Sequence, residues 1–328
     1  MFTLPKALSR LALGNRRQIY SLLFRASWQA IEKTVREEQG YEAAAALVLH
    51  TWNQRLEAHA HVHALIPGGG PSLTEAEKWK TTQYRGLPTA KYLVDAKQLR
   101  RDYRNFFLAG LRRLYLRGEL KLEGDFAGLR NTDCWQQLIS KLESTEWVAY
   151  IQPPPHEACK PQHVVRYFGR YLTGGPISDR RLIRASEDEV VFWAREGTET
   201  GGTRRQTQVK LSSVEFVRRW CLHILPKGYV KTRRYGGWSN KHQASYLARC
   251  LELLGKQTLN THPTHCDSAT AAPAEEADKD TGPHCPECGQ NMHLLDTCFK
   301  PSWASLRSLG HWPLWYHSQL EAKYQDSS

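Results

Sequence analysis

The chain contains no uninterrupted apolar run near the length of about eighteen residues that a membrane-spanning helix needs. Its opening residues, MFTLPKALSR, lack the apolar core of a secretory signal. A soluble, cytoplasmic protein is therefore expected. Paired cysteines are also missing from most of the sequence. Cys134, Cys159, Cys221, Cys250 and Cys266 are scattered singly, which fits reduced thiols better than a disulfide framework. Acidic residues are scarce in three windows. Residues 85–117 hold nine basic and two acidic residues, 160–184 hold six and one, and 203–234 hold nine and one. The whole chain carries a net charge of +12, so these windows hold more than its entire positive excess.

What is present is ordinary for a folded protein. Hydrophobic residues make up 41% and charged residues 24% of 328 positions, enough for a sizeable core and, at ~150 residues each, roughly two domains. Aromatic residues are interleaved with the basic ones in RDYRNFF, RRLYLR, VRYFGRY and VKTRRYGGW. Cations that neutralise phosphates and rings that stack on bases are the two ingredients of single-strand nucleic-acid binding. A merely solvated basic face would have the same composition, so the motifs must decide.

The most informative motif is EAHAHVHALIPGGG. In an extended strand, alternate side chains share a face, so His59, His61 and His63 lie together with Ala60 and Val62 opposite. Such a face can hold a divalent metal. Alternate residues are ~7 Å apart, so His61 and His63 can reach one ion, whereas His59 and His63 cannot share it without a bulge.

Around this motif the periodicity predicts an amphipathic helix over 15–39, with Ile19, Leu22, Leu23, Ala26, Ala30 and Ile31 on one face and Gly40 as its stop. ALVLHTW and HAHVHALI read as an antiparallel strand pair, with the triple glycine ending the second strand. Helices are expected from Asp95 to Arg117 and from Asp133 to Leu142, then a strand WVAYIQ and the breaker Pro153-Pro154-Pro155. PQHVVRYFGRYLTGG opens with a proline suited to a first helical turn and closes on Gly174-Gly175, giving one short helix. Tyr167 and Tyr171, four apart, stack on one side of it, with Arg166 and Arg170 beside them. A phenolate can attack a phosphodiester when a metal polarises the phosphate.

HAHVHALIPGGG resembles the HUH motif (His, bulky apolar, His) of single-strand nucleases, and RYFGRYL resembles the paired-tyrosine helix of two-tyrosine HUH transposases. The similarity is to the rolling-circle transposases of the insertion sequence ninety-one family. It runs on through FTLPKAL, LHTWNQRL, ISDRRL and LSSVEFVRRWCLHILPKGYVKTRRYGG, covering residues 2 to 250 or so. The resemblance implies an α+β, ferredoxin-like nuclease core with an antiparallel sheet and packed helices. It implies that His61 and His63 bind magnesium or manganese and that Tyr167 and Tyr171 are nucleophiles. A tyrosine would form a 5′-phosphotyrosine link with a cleaved single strand and free a 3′-hydroxyl, and a second tyrosine would hold another strand end. The partners implied are single-stranded DNA of transposon ends and target, and the protein would meet the nucleoid when DNA-bound.

His50, on the neighbouring strand, is the leading third metal ligand, with His59 and Gln54 as rivals. Arg166 and Arg170 would grip phosphate through their forked donors. A helix from Ser212 to Leu225 is expected to turn Val214, Phe216, Val217, Leu222 and Leu225 to a core and to leave Arg218 and Arg219 partly free. PKGYVKTRRYGG, with Arg233 and Arg234, reads as a basic loop contacting DNA.

From His262 to Pro283 the composition turns to Thr, Ala, Pro, Asp and Glu. Residues 256–283 are therefore read as a disordered linker between a nuclease region (1–255) and a tail (284–328). In the tail, Cys285, Cys288, His293 and Cys298 follow C-x2-C-x4-H-x4-C, the spacing of a small zinc knuckle, with a two-cysteine half-site as the alternative. Trp303, Trp312 and Trp315 follow. Family members typically carry a cysteine-rich zinc-binding domain ahead of the nuclease core. This chain starts at MFTLPKAL, so a truncated copy lacking that domain is expected. Two other classes stay open. A metal-dependent hydrolase would use the same His-x-His strand but needs later barrel ligands that no regular strand-helix alternation supplies. A non-catalytic zinc-dependent nucleic-acid-binding protein would use the histidines structurally.

Overall fold

A computed structural model describes residues 1–84, 92–152, 164, 168–169, 171–172, 174–196 and 205–261. The chain divides into two units, Met1–Pro263 and Thr264–Ser328, and the described residues belong to the first. Cys285, Cys288, His293 and Cys298 of the zinc-knuckle reading lie outside them, as do Tyr167, Arg166 and Arg170.

The fold mixes helices with antiparallel sheets. Its strands are β1 (Phe2–Thr3), β2 (Ala44–Trp52), β3 (Ala58–Leu65), β4 (Gly69–Pro71), β5 (Trp79–Thr81), β6 (Val148–Ala149), β7 (Leu182–Ala185), β8 (Glu189–Glu196), β9 (Arg205–Ser212) and β10 (Thr232–Gly236). Its helices are α1 (Ser9–Gly14), α2 (Arg16–Gln39), α3 (Ala96–Leu116), α4 (Thr132–Ser144), α5 (Ser213–Cys221) and α6 (Gln243–Thr261). Among the described residues, the main sheet has the order β10-β2-β3-β1-β6, and β4 with β5 and β7-β8-β9 form two smaller sheets.

The main sheet is two-faced because β2 and β3 alternate. Leu47 and Leu49 of β2 and Ala60 and Val62 of β3 point into the principal core, where α2 and α3 cover them. All six residues expected on the apolar stripe of α2 are buried. The helix ends where Gly40 adopts φ +68° and its N–H closes on the carbonyls of Val35 and Arg36, a turn for which glycine is suited because a Cβ disfavours it. Asp95 caps α3 by accepting from the Gln98 N–H, and Leu99, Tyr103, Phe107 and Leu111 then bury one stripe at helical spacing. Gly110 lets α3 approach α2 closely, since a Cβ there would fall 2.2 Å from a Leu22 methyl. Asn131 caps α4 in the same way as Asp95 caps α3, and Trp135, Ile139 and Leu142 of that helix face the core.

A second cluster forms where the β2–β3 turn meets the three-stranded sheet. Leu56, at φ +59°, is fully buried against Val190, Phe192, Ala194 and Val209. The carbonyls of Gln54, Arg55 and Leu56 are each taken by a donor from the region of that sheet, Arg181, Arg219 and His223 respectively. The turn is thereby pinned at three successive peptide units.

Several expectations need correction. WVAYIQ forms a strand only over Val148–Ala149, opposite the two-residue β1, with one further pair of hydrogen bonds between Tyr150 and Met1. The glycines after Pro67 do not merely end β3, since Gly69 and Gly70 start β4. The Ser212–Leu225 helix stops at Cys221, and Val214 and Val217 are 81% and 56% exposed rather than core-facing; Phe216 packs inward on the three-stranded sheet, and Leu225, beyond the helix, packs against the principal core. PKGYVKTRRYGG is not a loop throughout. Thr232 to Gly236 form the edge strand β10, with Arg233 opposite Leu47 and Arg234 opposite Ala46. Helix α6 continues through Thr261, into the first residues of the 256–283 segment.

Candidate metal centre

The face of the main sheet turned away from α2 carries a group of histidines. In the β2–β3 ladder His50 pairs directly with His61, and His63 pairs with Val48, so all three histidines project from that face. One ligand atom from each of His50, His61 and His63 lies within 4.8 Å of the others, a set that could hold one metal ion. The ring centroids of His61 and His63 are 5.0 Å apart, and those of His50 and His63 4.8 Å. His50 is thus the histidine that completes the group. His59 stands one step outside, its ring 5.3 Å from that of His61, and Gln54 lies in the turn.

Burial and hydrogen bonds prepare the rings as ligands. Desolvation leads the lowering of all three imidazole pKa values, with His61 brought to about 3 and His63 to about 2. Neutral imidazole is the metal-binding form. Nδ1 of His61 lies 2.9 Å from the carbonyl of His59, and Nε2 of His50 lies 3.0 Å from the carbonyl of Tyr171. A carbonyl oxygen only accepts, so each of these nitrogens carries the ring's single proton. Nε2 of His61 and Nδ1 of His50 are left as lone-pair donors. This is the arrangement in which a metal-binding histidine is oriented through its other nitrogen.

Tyr171 sits on this face in a helical segment that includes Phe168, Gly169 and Leu172. Its ring is 4.1 Å from that of His63 and 5.8 Å from that of His50. The structure therefore brings together His50, His61, His63 and Tyr171 from segments more than a hundred residues apart. Two further groups escaped the sequence reading. Trp52 stacks on His50 at 4.5 Å and 17°, and the ammonium of Lys231 lies 5.5 Å from the Trp52 ring centroid. The HTW spacing placed Trp52 on the face of His50; Lys231 had no signal, because it enters from a segment read as a loop.

Of the arginines considered for DNA binding, the four among the described residues have protein partners. Arg218 holds Glu215 through Nε at 2.6 Å and Nη2 at 2.8 Å. Arg219 donates to the same carboxylate and to the Arg55 carbonyl. Arg233 lies against Phe24 and Tyr229 and donates to Ser21, on the α2 side of the sheet and away from the histidines. Arg234 donates to Gln243 and Asn240. No helix among the described residues is long and apolar enough to cross a membrane.

Comparison with known proteins follows the same residues. A family model described as "Putative transposase" matches residues 45–245, which include the three histidines and Tyr171. The chain is 32% identical over 310 residues to "Putative transposase y4qJ" of Sinorhizobium fredii, covering 91% of this chain and 72% of that protein. It is 27% identical over 297 residues to "Transposase for insertion sequence element IS801" of Pseudomonas savastanoi pv. phaseolicola, covering 89% of this chain and 65% of that protein. No solved structure matches.

Proposed function

The chain belongs to this transposase family, and from that premise we propose that it cleaves and rejoins single-stranded DNA through a tyrosine–DNA intermediate, as in rolling-circle transposition. The observation that carries the reading is the packing of Tyr171 on His63, within the group formed by His50, His61 and His63. A nucleophile and a metal-binding face meet at one place, and a phosphodiester is the substrate that uses both.

In this reading the three neutral imidazoles hold a divalent ion. Their donor chemistry fits one, and an all-nitrogen set suits manganese better than magnesium, which prefers oxygen ligands. When bound, the ion supplies positive charge to the non-bridging oxygens of the scissile phosphate. The phenol oxygen of Tyr171, or of Tyr167 in the same segment, attacks phosphorus. The new O–P bond forms as the phenol gives up its proton and the P–O3′ bond breaks; the phosphate stays on the 5′ oxygen of the downstream strand as a phosphotyrosine diester, and the departing 3′ oxygen takes up a proton. Because one phosphodiester replaces another, rejoining needs no ATP. A second tyrosine allows one strand end to be held while another is cut. Arg166 and Arg170 would bind backbone phosphate beside the tyrosines. The ferredoxin-like assignment of the core, and the zinc site at Cys285, Cys288, His293 and Cys298, remain parts of the same proposal.

The test is incubation of the protein with end-labelled single-stranded oligonucleotides and Mn²⁺ or Mg²⁺, followed by denaturing electrophoresis. A metal-dependent covalent adduct, abolished by joint Tyr167→Phe and Tyr171→Phe substitution, is expected. Adduct formation that survives the double substitution would overturn the tyrosine assignment.

A further inference from the structure

The segment that carries Tyr171 is held to the sheet by backbone carbonyls. Nε2 of His50 donates to the carbonyl of Tyr171, and Nζ of Lys231 donates to the carbonyls of Gly174 at 2.8 Å and Leu172 at 3.4 Å. Three carbonyls within four residues are thus held by two side chains from adjacent strands or their ends. Lys231 directly precedes β10, and its own carbonyl accepts from the Leu49 N–H, next to His50 in β2. Its position relative to the histidines is therefore fixed by a ladder hydrogen bond. The ammonium is partly buried and lies by Trp52, the ring stacked on His50.

We propose that Lys231 is a positioning residue for the tyrosine nucleophile, clamping the carbonyl end of the Tyr171 segment so that its phenol stays over the His50–His61–His63 face. The inference rests on the reading of Tyr171 as a nucleophile. Carbonyls at the C-terminal end of a helical segment carry partial negative charge and lack partners further along the helix, which is where a lysine ammonium is most effective. A neutral side chain of the same length keeps the packing against Trp52 but cannot donate to Leu172 and Gly174. An arginine keeps the charge and the donors. Direct phosphate binding by Lys231 is the competing role, and it predicts a different signature: weaker DNA binding with an undisturbed tyrosine segment.

Full-length Lys231→Met and Lys231→Arg proteins separate these roles in two measurements. The first is amide hydrogen exchange without DNA. The clamp predicts that exchange over residues 168–174 speeds at least tenfold in Lys231→Met, stays near wild type in Lys231→Arg, and is unchanged in β3. The second is adduct formation at saturating single-stranded oligonucleotide with Mn²⁺. The expected result is a rate at least tenfold lower in Lys231→Met, with oligonucleotide affinity within threefold of wild type and substantial rescue in Lys231→Arg. Unchanged exchange over 168–174 would overturn the clamp. So would a loss of affinity with an unchanged saturated rate. If Lys231→Met failed to fold, Lys231→Ala, which has no donor to reach either carbonyl, would take its place in both measurements with the same expectation. Absence of any adduct in the wild type would count against the nucleophile reading, while the exchange measurement would still decide whether Lys231 holds the segment.

Discussion

His50 reaches the backbone of Tyr171: its Nε2 donates to the Tyr171 carbonyl across 3.0 Å. One bond thus sets the tautomer of a candidate metal ligand and fixes the chain at a candidate nucleophile. A metal ion held by His50 would be coupled to the placement of Tyr171 through this one imidazole.

The proposed ligand set separates His50, His61 and His63 from His59. Alanine at His50, His61 or His63 should weaken Mn²⁺ binding by more than the 10- to 100-fold or so typical of outer partners of a metal ligand. His59→Ala, which leaves the His59 carbonyl on His61 Nδ1, should weaken it much less. Titration of free Mn²⁺ by electron paramagnetic resonance measures all four. A loss at His59 equal to that at His50 would show that the ligand set is misassigned.

Acid should destabilise the metal-free protein well before carboxylates titrate. Burial lowers the pKa of folded His61 to about 3 and of folded His63 to about 2, whereas in the unfolded chain these rings titrate near 6.5 or so. Between those limits the unfolded chain binds more protons, so stability is complete above about pH 6.5 and declines as the pH falls toward the folded values. Each histidine fully differing between the two states contributes a slope of about 1.4 kcal/mol per pH unit. Urea midpoints with a chelator present should fall from pH 7 to pH 5, and His61→Gln should flatten the decline. A profile flat across this range would contradict the buried neutral triad.

Gly110 provides a test of the core behind the site. A methyl group there meets Leu22 at 2.2 Å, so Gly110→Ala should destabilise the protein by about 1–3 kcal/mol through overpacking, despite alanine's better helix propensity. Thermal melting checks this. A variant more stable than wild type would mean that α2 and α3 do not approach as closely as described.

Part of this architecture was legible in the sequence, for definite physical reasons. The stripe of α2 and its Gly40 stop are written in residue spacing and in a left-handed turn. The pairing of His61 with His63 follows from strand alternation. His50 was legible as a candidate but needed the β2–β3 register, which places it directly across from His61. Three things were hidden. β10 is a basic edge strand whose core-facing residues include Arg233, so its alternation does not look apolar. The exposure of Val214 and Val217 depends on what α5 lies against, and apolar spacing does not specify that. The Lys231 contact joins positions nearly sixty residues apart through backbone carbonyls, which leave no mark on side-chain identity.

The central claim is that Tyr171, or its companion Tyr167, becomes covalently joined to DNA beside the histidine face. It is tested most directly by mass spectrometry of the peptide from protein trapped on a single-stranded oligonucleotide with Mn²⁺. A peptide spanning residues 167–171 is expected to carry a nucleotide through a phosphodiester between a tyrosine oxygen and the 5′ oxygen of the downstream strand, and to be lost in His61→Ala. A nucleotide attached elsewhere in the chain, or DNA cut without any attached peptide, would contradict it.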